Sequence, residues 1–220
     1  MDKKKTDTLF TIVLVVCLIV IVVFKFTLGK PKQQDLSFIY DIPTYQAFTA
    51  DKVSDADIAK IVNAGINAPS GMNNQPWFFA VVTDENVTKQ IADEAAQAMA
   101  EKGFTPPKNG VKKAQIIDAP LNIYVYCEPN ALFDAGLALE QMNVAAQSLG
   151  YGTKIFGSPA IVLKGDNASQ YKQLLGVPEN MEYTSTLSVG KIDAAAHKAA
   201  LDAMSGASPR KSANEVMKQK

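Results

Sequence analysis

The stretch Ala68–Trp77, APSGMNNQPW, lies between a segment with helical periodicity and a short apolar run that is typical of a strand. Its two prolines restrict the backbone near both ends, and Gly71 permits a positive φ angle or the close approach of another group. Neutral hydrogen-bonding side chains occupy four further positions: Ser70, Asn73, Asn74 and Gln75. This composition favours the binding of a planar ring rich in heteroatoms over the binding of a phosphate or a metal ion. A capped turn that places Trp77 in the core is the alternative interpretation.

Composition and charge restrict the possible classes of function. The chain has 220 residues with 22 basic and 22 acidic side chains, which fits one ordinary domain and gives no electrostatic footprint for nucleic acid. Cys17 lies in an apolar run and Cys127 in a predicted buried strand, so we expect no disulfide between them. The single histidine, His197, lies in AAAHKAA, where we expect a solvated or half-buried helix residue. A Ser-His-Asp triad or a histidine-based metal site would depend on that one side chain, and we expect neither.

The N-terminal residues predict a membrane anchor. Three lysines at positions 3–5 precede the uncharged run LFTIVLVVCLIVIVVF at 9–24, and snorkelling of Lys25 would extend the span to residue 28. Lysines flank both ends of this run, so the positive-inside rule does not determine its orientation in the membrane. The free amino end favours an N-terminus inside the cell. A buried core helix is the alternative. The predicted organisation is a basic cytoplasm-side N-terminus at 1–8, a transmembrane signal anchor at 9–28, a tether at 29–36 and a domain at 37–220.

The remaining residues alternate irregularly between helical and extended patterns. Helical periodicity with start or stop signals marks five segments: 54–66, 84–103, 132–149, 168–175 and 194–204. Three runs are typical of strands: 78–82 and 121–127, expected to be buried on both faces, and 181–189, expected to be half exposed because its apolar residues alternate with polar ones. The basic loop 104–115 is typical of a lid or of a mobile surface loop. The predicted fold class is α+β, with helices packed on a mixed sheet.

Four segments resemble, in order, parts of the nitroreductase family of FMN-dependent oxidoreductases. Residues 68–77 resemble the signature Ala-Pro-Ser-x-x-Asn-x-Gln-Pro-Trp. Asp134–Gly157 (DAGLALEQMNVAAQSLGYGTKIFG) resembles the family's central helix and the glycine-rich loop after it. The segment 174–192 (LLGVPENMEYTSTLSVGKI) resembles the part that leads into a late strand. The segment 208–217 (SPRKSANEVM) resembles the C-terminal arm. The resemblance implies an intertwined homodimer with two FMN sites at the subunit interface.

The resemblance also implies which residues contact FMN. It implies that four residues contact the flavin ring or its ribityl chain: Pro69, Ser70, Gly71 and Asn73. In this family these residues also reach the flavin of the partner subunit. Gln75 would brace that loop, and the backbone amides near Phe156 and Gly157 would lie by the ring close to N5. Arg210, with Lys211, would meet the phosphate, a role that suits the bidentate charge-assisted hydrogen bonds of arginine.

The stretch IPTYQAF, 42–48, departs from the family pattern Arg-Arg-Ser-x-Arg-x-Phe, whose arginines hold the phosphate. Thr44 carries a hydroxyl in place of the family's serine, but Ile42, Pro43 and Gln46 replace the three arginines. The loss of several charge-assisted hydrogen bonds, at about 1.5–3 kcal/mol each, would weaken FMN binding by orders of magnitude. Three outcomes are open: lysines of GVKKAQ at 110–115 replace the arginines, FMN binds weakly, or the fold no longer uses FMN in the usual way.

The resemblance implies a membrane-anchored oxidoreductase with a ping-pong mechanism. The flavin would take a hydride at N5 from NADH or NADPH and pass electrons to a nitroaromatic, a quinone or another electron-poor small molecule. The cofactor carries this chemistry, so we expect no catalytic side chain and no metal. One alternative is a non-catalytic or atypical protein of the same fold that binds a flavin or a small aromatic molecule with weakened phosphate binding. The other is a structural membrane protein with a degenerate domain.

Overall fold

The computed structural model describes residues 13–18, 20, 39, 44–103, 119–203 and 209–219. The chain divides into two compact units, Met1–Asp41 and Ile42–Lys220. In the first unit residues 13–18 and 20 are helical, and the rest of the predicted span 9–28 lies outside the described residues, as does the basic loop 104–115. No helix in the described part of the chain is both long and apolar enough to cross a membrane.

In the second unit helices and strands alternate irregularly around one sheet. The described helices are α1 (Asp55–Ile66), α2 (Glu85–Glu101), α3 (Leu132–Ser148), α4 (Ala160–Leu163), α5 (Ala168–Leu175), α6 (Ala194–Ala203) and α7 (Ala213–Val216). The described strands are β1 (Trp77–Val82), β2 (Leu121–Cys127), β3 (Gly152–Phe156) and β4 (Glu182–Gly190), in the spatial order β1-β2-β4-β3. All three neighbouring pairs are antiparallel, so the expectation of a mixed sheet is wrong for these strands.

The helix ends follow the local signals in the sequence. Ser54 caps α1, because its Oγ accepts a hydrogen bond from the N–H of Asp57 at 3.2 Å. Asp84 caps α2 in the same way through the N–H of Asn86 at 2.8 Å. After α3 the chain turns at Gly150, which has a φ angle of 86° that a residue with a side chain rarely adopts.

The core lies on both faces of the sheet. One face packs against α1 and α3 through an apolar cluster that includes Ile61, Ile123, Leu139, Met142 and Leu187. The opposite face packs against α2, α4 and α5 through a second cluster, which includes Ile91, Tyr124, Tyr126, Leu163 and Tyr171. Because both faces are covered, the two central strands β2 and β4 are buried along most of their length.

The alternating sequence of β4 predicted a half-exposed strand, and this prediction is wrong because both faces of the sheet are covered. A β-bulge shifts the register between Val125 and Tyr126 of β2 and leaves Thr184 of β4 without a direct partner. The Thr184 hydroxyl donates to the carbonyl oxygen of Val125 at 2.9 Å. Tyr183 and Leu187 lie on opposite sides of the bulge and pack into different core clusters. The polar residues Thr186 and Ser188 are also buried.

The two edge strands also differ from expectation. β1 was predicted to be buried on both faces, but it forms one edge of the sheet, and Val81 is 40% exposed. β3 forms the other edge and was not predicted as a strand, because the resemblance assigned Gly152–Phe156 to a glycine-rich loop. Strand β3 contains Lys154 and Phe156, two residues of the candidate site described below.

The extended segment 44–49 lies along β3 and the residues that follow β4. The N–H of Tyr45 donates to the carbonyl of Thr153 at 3.0 Å, and the N–H of Thr49 donates to the carbonyl of Lys191 at 2.9 Å. These bonds place the stretch that departs from the family pattern directly beside the β3 edge of the sheet.

We expect the variant Gly152→Ala to loosen this contact. A Cβ at Gly152 would lie 2.6 Å from Cγ1 of Ile192 and 3.0 Å from Cδ2 of Tyr45, so its neighbours would have to move. Such overpacking costs about 1–3 kcal/mol in the free energy of unfolding, measured by urea denaturation. Gly136→Ala is the control: the helical Gly136 has open space around it and should gain about 0.5–1 kcal/mol. A Gly152→Ala protein as stable as the wild type would contradict the close approach.

Candidate functional site

The loop between α1 and β1 is exposed and has an unusual backbone. Met72, Asn73 and Gln75 have positive φ angles of 51°, 57° and 49°. Asparagine tolerates this left-handed conformation, whereas at the other two residues it costs about 1–3 kcal/mol each. Trp77, which follows the loop, is only half buried, so burial of this ring does not account for the loop. Backbone strain of this kind is typical of loops that position groups for binding.

Hydrogen bonds within the loop hold the strained backbone. Ser70 Oγ accepts from the N–H of Gln75 at 3.0 Å, and the Ser70 carbonyl accepts from the N–H of Asn73 at 3.0 Å. The N–H of Gly71 donates to Asp134 Oδ1 at 3.3 Å, which ties the loop to the first turn of α3. Among the described residues the Asn73 side chain has no hydrogen-bond partner, so it is available to a ligand.

Thr44 and Gln46 lie beside β3. Thr44 is exposed and Gln46 is half buried. The N–H of Gln46 donates to Nδ1 of His197 on α6 at 3.2 Å, and the His197 ring packs 5.1 Å from the ring of Tyr45. His197 is thus a half-buried helix residue, as expected, and it anchors the segment that carries Gln46.

A buried lysine meets Gln46 from the sheet. Lys154 Nζ donates to Oε1 of Gln46 at 2.7 Å, and Lys154 is only 9% exposed. Burial lowers the pKa of its ammonium group to about 8. In the described part of the chain no carboxylate pairs with Lys154. The ammonium also lies 5.9 Å from the centre of the Phe156 ring.

The end of β3 is open to a ligand. The carbonyl of Phe156 accepts from Ser185 Oγ at 3.1 Å, which fixes the last residue of the strand. The next residue, Gly157, is exposed, and a Cβ built on it would meet nothing within 4 Å. Its N–H has no acceptor among the described residues. A ring with an acceptor atom at its edge therefore finds both space and a free donor here.

Arg210 and Lys211 lie in the exposed segment before α7. Ser212 and Glu215 form a capping box that begins this short helix. Neither basic side chain forms an ion pair within the described residues. Both cations are therefore free to bind an anion.

The structure brings the predicted site residues together in three groups. The first is the strained loop 69–75, the second combines Thr44 and Gln46 with the end of β3, and the third is Arg210 with Lys211. No hydrogen bond or ion pair between described residues joins one group to another. The described residues therefore leave the three groups separate from one another.

Sequence analysis missed Lys154 and the anchoring role of His197. The signal for β3 was present, because Thr153, Ile155 and Phe156 form a short β-favouring run after the glycine that ends α3. The contact between Lys154 and Gln46 joins residues 108 positions apart, and no local pattern indicates it.

Comparison with known proteins assigns the chain to a family. The Nitroreductase family matches residues 44–191, which include the strained loop and all four strands. The chain belongs to the nitroreductase family. A relative from Archaeoglobus fulgidus, whose name assigns it to the NADH dehydrogenase/NAD(P)H nitroreductases, is 29% identical over 158 residues, 72% of this chain and 85% of the relative.

Solved nitroreductase structures share this fold. An FMN-dependent nitroreductase from Clostridium difficile R20291 is 25% identical, covers 74% of this chain and 92% of its own, and superposes with a TM-score of 0.64. A nitroreductase with bound FMN from Desulfitobacterium hafniense DCB-2 is 22% identical and covers 84% and 97% of the two chains, with a TM-score of 0.68. The nitroreductase-like α+β fold expected from the sequence is thereby confirmed.

We expect Lys154→Met to stabilise the protein without cofactor at neutral pH. A lysine whose pKa is lowered to about 8 in the folded state carries a buried charge that opposes folding below that pH, and this cost disappears as the pH rises towards the unfolded value near 10.5. The variant should therefore be about 1–3 kcal/mol more stable than wild type at pH 7, and its advantage should shrink towards pH 10 in urea denaturation. The exposed Lys89→Met is the control and should show no such trend. An advantage independent of pH would contradict the burial of the charge.

Proposed function

We propose that this nitroreductase-family chain is an FMN-dependent oxidoreductase that moves electrons from NADH or NADPH to electron-poor small molecules such as nitroaromatics or quinones. The observation that carries the proposal is the family match over residues 44–191, because it spans both the strained loop and the open end of β3. FMN supplies the redox chemistry when it is bound, so the chain itself needs no nucleophile. The name of the Archaeoglobus relative supports the nicotinamide donor, and the C. difficile structure supports FMN.

The side chains present fit FMN. The loop offers neutral groups to the ring and the ribityl chain, from Pro69, Ser70, Gly71 and Asn73, with Gln75 bracing them. The free N–H of Gly157, next to Phe156, suits an acceptor at the ring edge. Cations for the phosphate come from Arg210 and Lys211, and a hydroxyl comes from Thr44 beside Gln46.

We further propose that the protein is a homodimer in which the loop of one subunit completes the cofactor site of the other. Large apolar side chains are exposed next to the loop: Met72 is 92% exposed, Leu132 64% and Phe133 77%. Exposed large apolar side chains are enriched at subunit interfaces. The separation of the predicted site residues into three groups also agrees with a site shared between two subunits.

The proposal includes a membrane anchor over residues 9–28, with the N-terminus on the cytoplasmic side. Its support is the uncharged run at 9–24 with lysines at both ends. Reporter fusions at the two ends of the chain would test this topology. A cytoplasmic signal from the C-terminal fusion, together with release of the protein by carbonate washing, would contradict the proposal.

A second candidate is a non-catalytic protein of the same fold that binds a flavin or a small aromatic molecule. The replacement of three family arginines at positions 42, 43 and 46 favours this candidate, because it removes cations expected at the phosphate. The two candidates differ in turnover, because only the oxidoreductase accepts electrons from a nicotinamide.

We expect the full-length protein, purified in detergent, to bind FMN and to show the visible absorption of a flavin. Addition of NADH or NADPH under anaerobic conditions should bleach this absorption, and a quinone or a nitroaromatic compound should restore it. Binding without bleaching by either donor would support the non-catalytic candidate. A colourless protein whose spectrum and stability do not change on titration with FMN would rule out the oxidoreductase and leave only a protein that binds another small aromatic molecule.

We expect Arg210→Ala to weaken FMN binding because the bidentate contact to the phosphate is lost. Charged hydrogen bonds of about 1.5–3 kcal/mol correspond to a rise of roughly 10- to 100-fold in Kd, measured by fluorescence titration. Riboflavin, which has no phosphate, should bind wild type and variant equally. Lys218→Ala, an exposed change further along the same tail, is the control. Equal FMN affinity of Arg210→Ala and wild type would show that the phosphate lies elsewhere.

A further inference from the structure

Lys154 is a buried lysine, and a buried ammonium group lowers the stability of the fold. It is 9% exposed, and in the described part of the chain its ammonium contacts the neutral amide of Gln46 and lies over the ring of Phe156. A buried ammonium without a carboxylate partner opposes folding. Surface lysines of this chain show the usual alternative, since Lys60, Lys191 and Lys198 all pair with aspartates. A buried group that the fold does not need is expected at a binding site.

The neighbours of Lys154 indicate what it binds. Residues two apart on a strand share a face, so Lys154 and Phe156 lie on the same side of β3, next to the open end at Gly157. Strand pairing places Lys154 opposite Ser188, whose hydroxyl is already bonded to Asn122. The ammonium has three donors, and Gln46 takes one of them. The other donors have no acceptor among the described residues.

Gln46 is held firmly enough to orient the ammonium. Its N–H bonds to His197, and Tyr45 before it packs on the His197 ring and bonds to β3. The backbone of Gln46 is thereby fixed beside β3, and from there its amide oxygen accepts from the Lys154 ammonium at 2.7 Å. At this position the family pattern quoted above has an arginine, so the positive charge absent from residue 46 reappears on the residue that touches it.

We propose that Lys154 supplies to bound FMN the positive charge that residue 46 lacks, and that Gln46 is the positioning residue that aims it. The inference depends on the proposed function, because it concerns the same cofactor. It differs from the expectation that lysines of the loop 110–115 replace the arginines, since here the charge comes from the edge strand of the sheet. Lys154 then meets an anionic part of the flavin, either the phosphate or the ring edge that becomes negative on reduction.

The test is the affinity of full-length Lys154→Met for FMN and for riboflavin, together with the reduction potential of the bound flavin. We expect Kd for FMN to rise roughly 10- to 100-fold, as for the loss of one or two charged hydrogen bonds. A loss confined to FMN places the charge at the phosphate. A loss shared by riboflavin, with a lower reduction potential, places it at the ring. Lys89→Met is the matched control and should match wild type.

The double variant Gln46→Lys with Lys154→Gln separates charge from structure. It exchanges the two groups across a 2.7 Å contact and returns the cation to nearly the same place, so FMN affinity should recover. Failure to recover, together with a loss of stability, would show that Lys154 is structural and would overturn the proposal. Unchanged affinity and potential in Lys154→Met, in a protein whose wild type binds FMN, would also overturn it. A wild type that binds no FMN would instead remove the proposed function, and the inference with it.

Discussion

The antiparallel pairing of β2 with β4 is the constraint on which the rest of the structure depends. Both strands are buried on both faces, and each face carries its own apolar cluster. Because the two central positions of the sheet are occupied, β1 and β3 become its edges, and the candidate site forms where these edge strands meet loops. The loop 69–75 leads into β1, and the segment 44–49 runs along β3. The candidate site at the sheet edges is thereby built on a buried interior.

Prediction from the sequence succeeded where the determining interaction is local. The caps at Ser54 and Asp84 and the turn at Gly150 depend on groups within a few residues, and the predicted helical segments 54–66, 84–103 and 132–149 begin or end at these residues. The half-exposed prediction for β4 was wrong because helices cover both faces of the sheet and bury Thr186 and Ser188, and the bulge at Thr184 depends on the partner strand β2. Neither contact is local in the sequence. Similarly, the positive φ angles of Met72 and Gln75 have no local signal, since neither residue favours them. The loop was recognised by composition, but its strain was visible only in the structure.

Two parts of the candidate site break local rules, and they do so in different ways. The loop 69–75 stores backbone strain, whereas Lys154 stores the cost of an unpaired buried charge. Neither cost is offset by contacts that the described residues make among themselves, although Ser70 and Gln46 restrain the geometry of each. A folded chain tolerates such costs where a ligand repays them on binding. The two features therefore mark the loop and the β3 edge as the parts of the candidate site where a ligand would contribute most to stability.

This division accounts for the departure of residues 42–48 from the family pattern. An arginine at position 46 beside Lys154 would place two cations within hydrogen-bonding distance, and their repulsion would be strong in a buried setting. The lysine and the arginine are thus alternatives rather than partners: a chain that buries Lys154 here is expected to carry a residue without positive charge at 46. A glutamine satisfies this requirement and adds an acceptor that fixes the ammonium. Gln46 is then the condition for keeping a charge at the site rather than a sign of its loss. Repulsion from Lys154 does not explain the replacement of arginine at positions 42 and 43, and among the described residues Arg210 and Lys211 are basic side chains that form no ion pair.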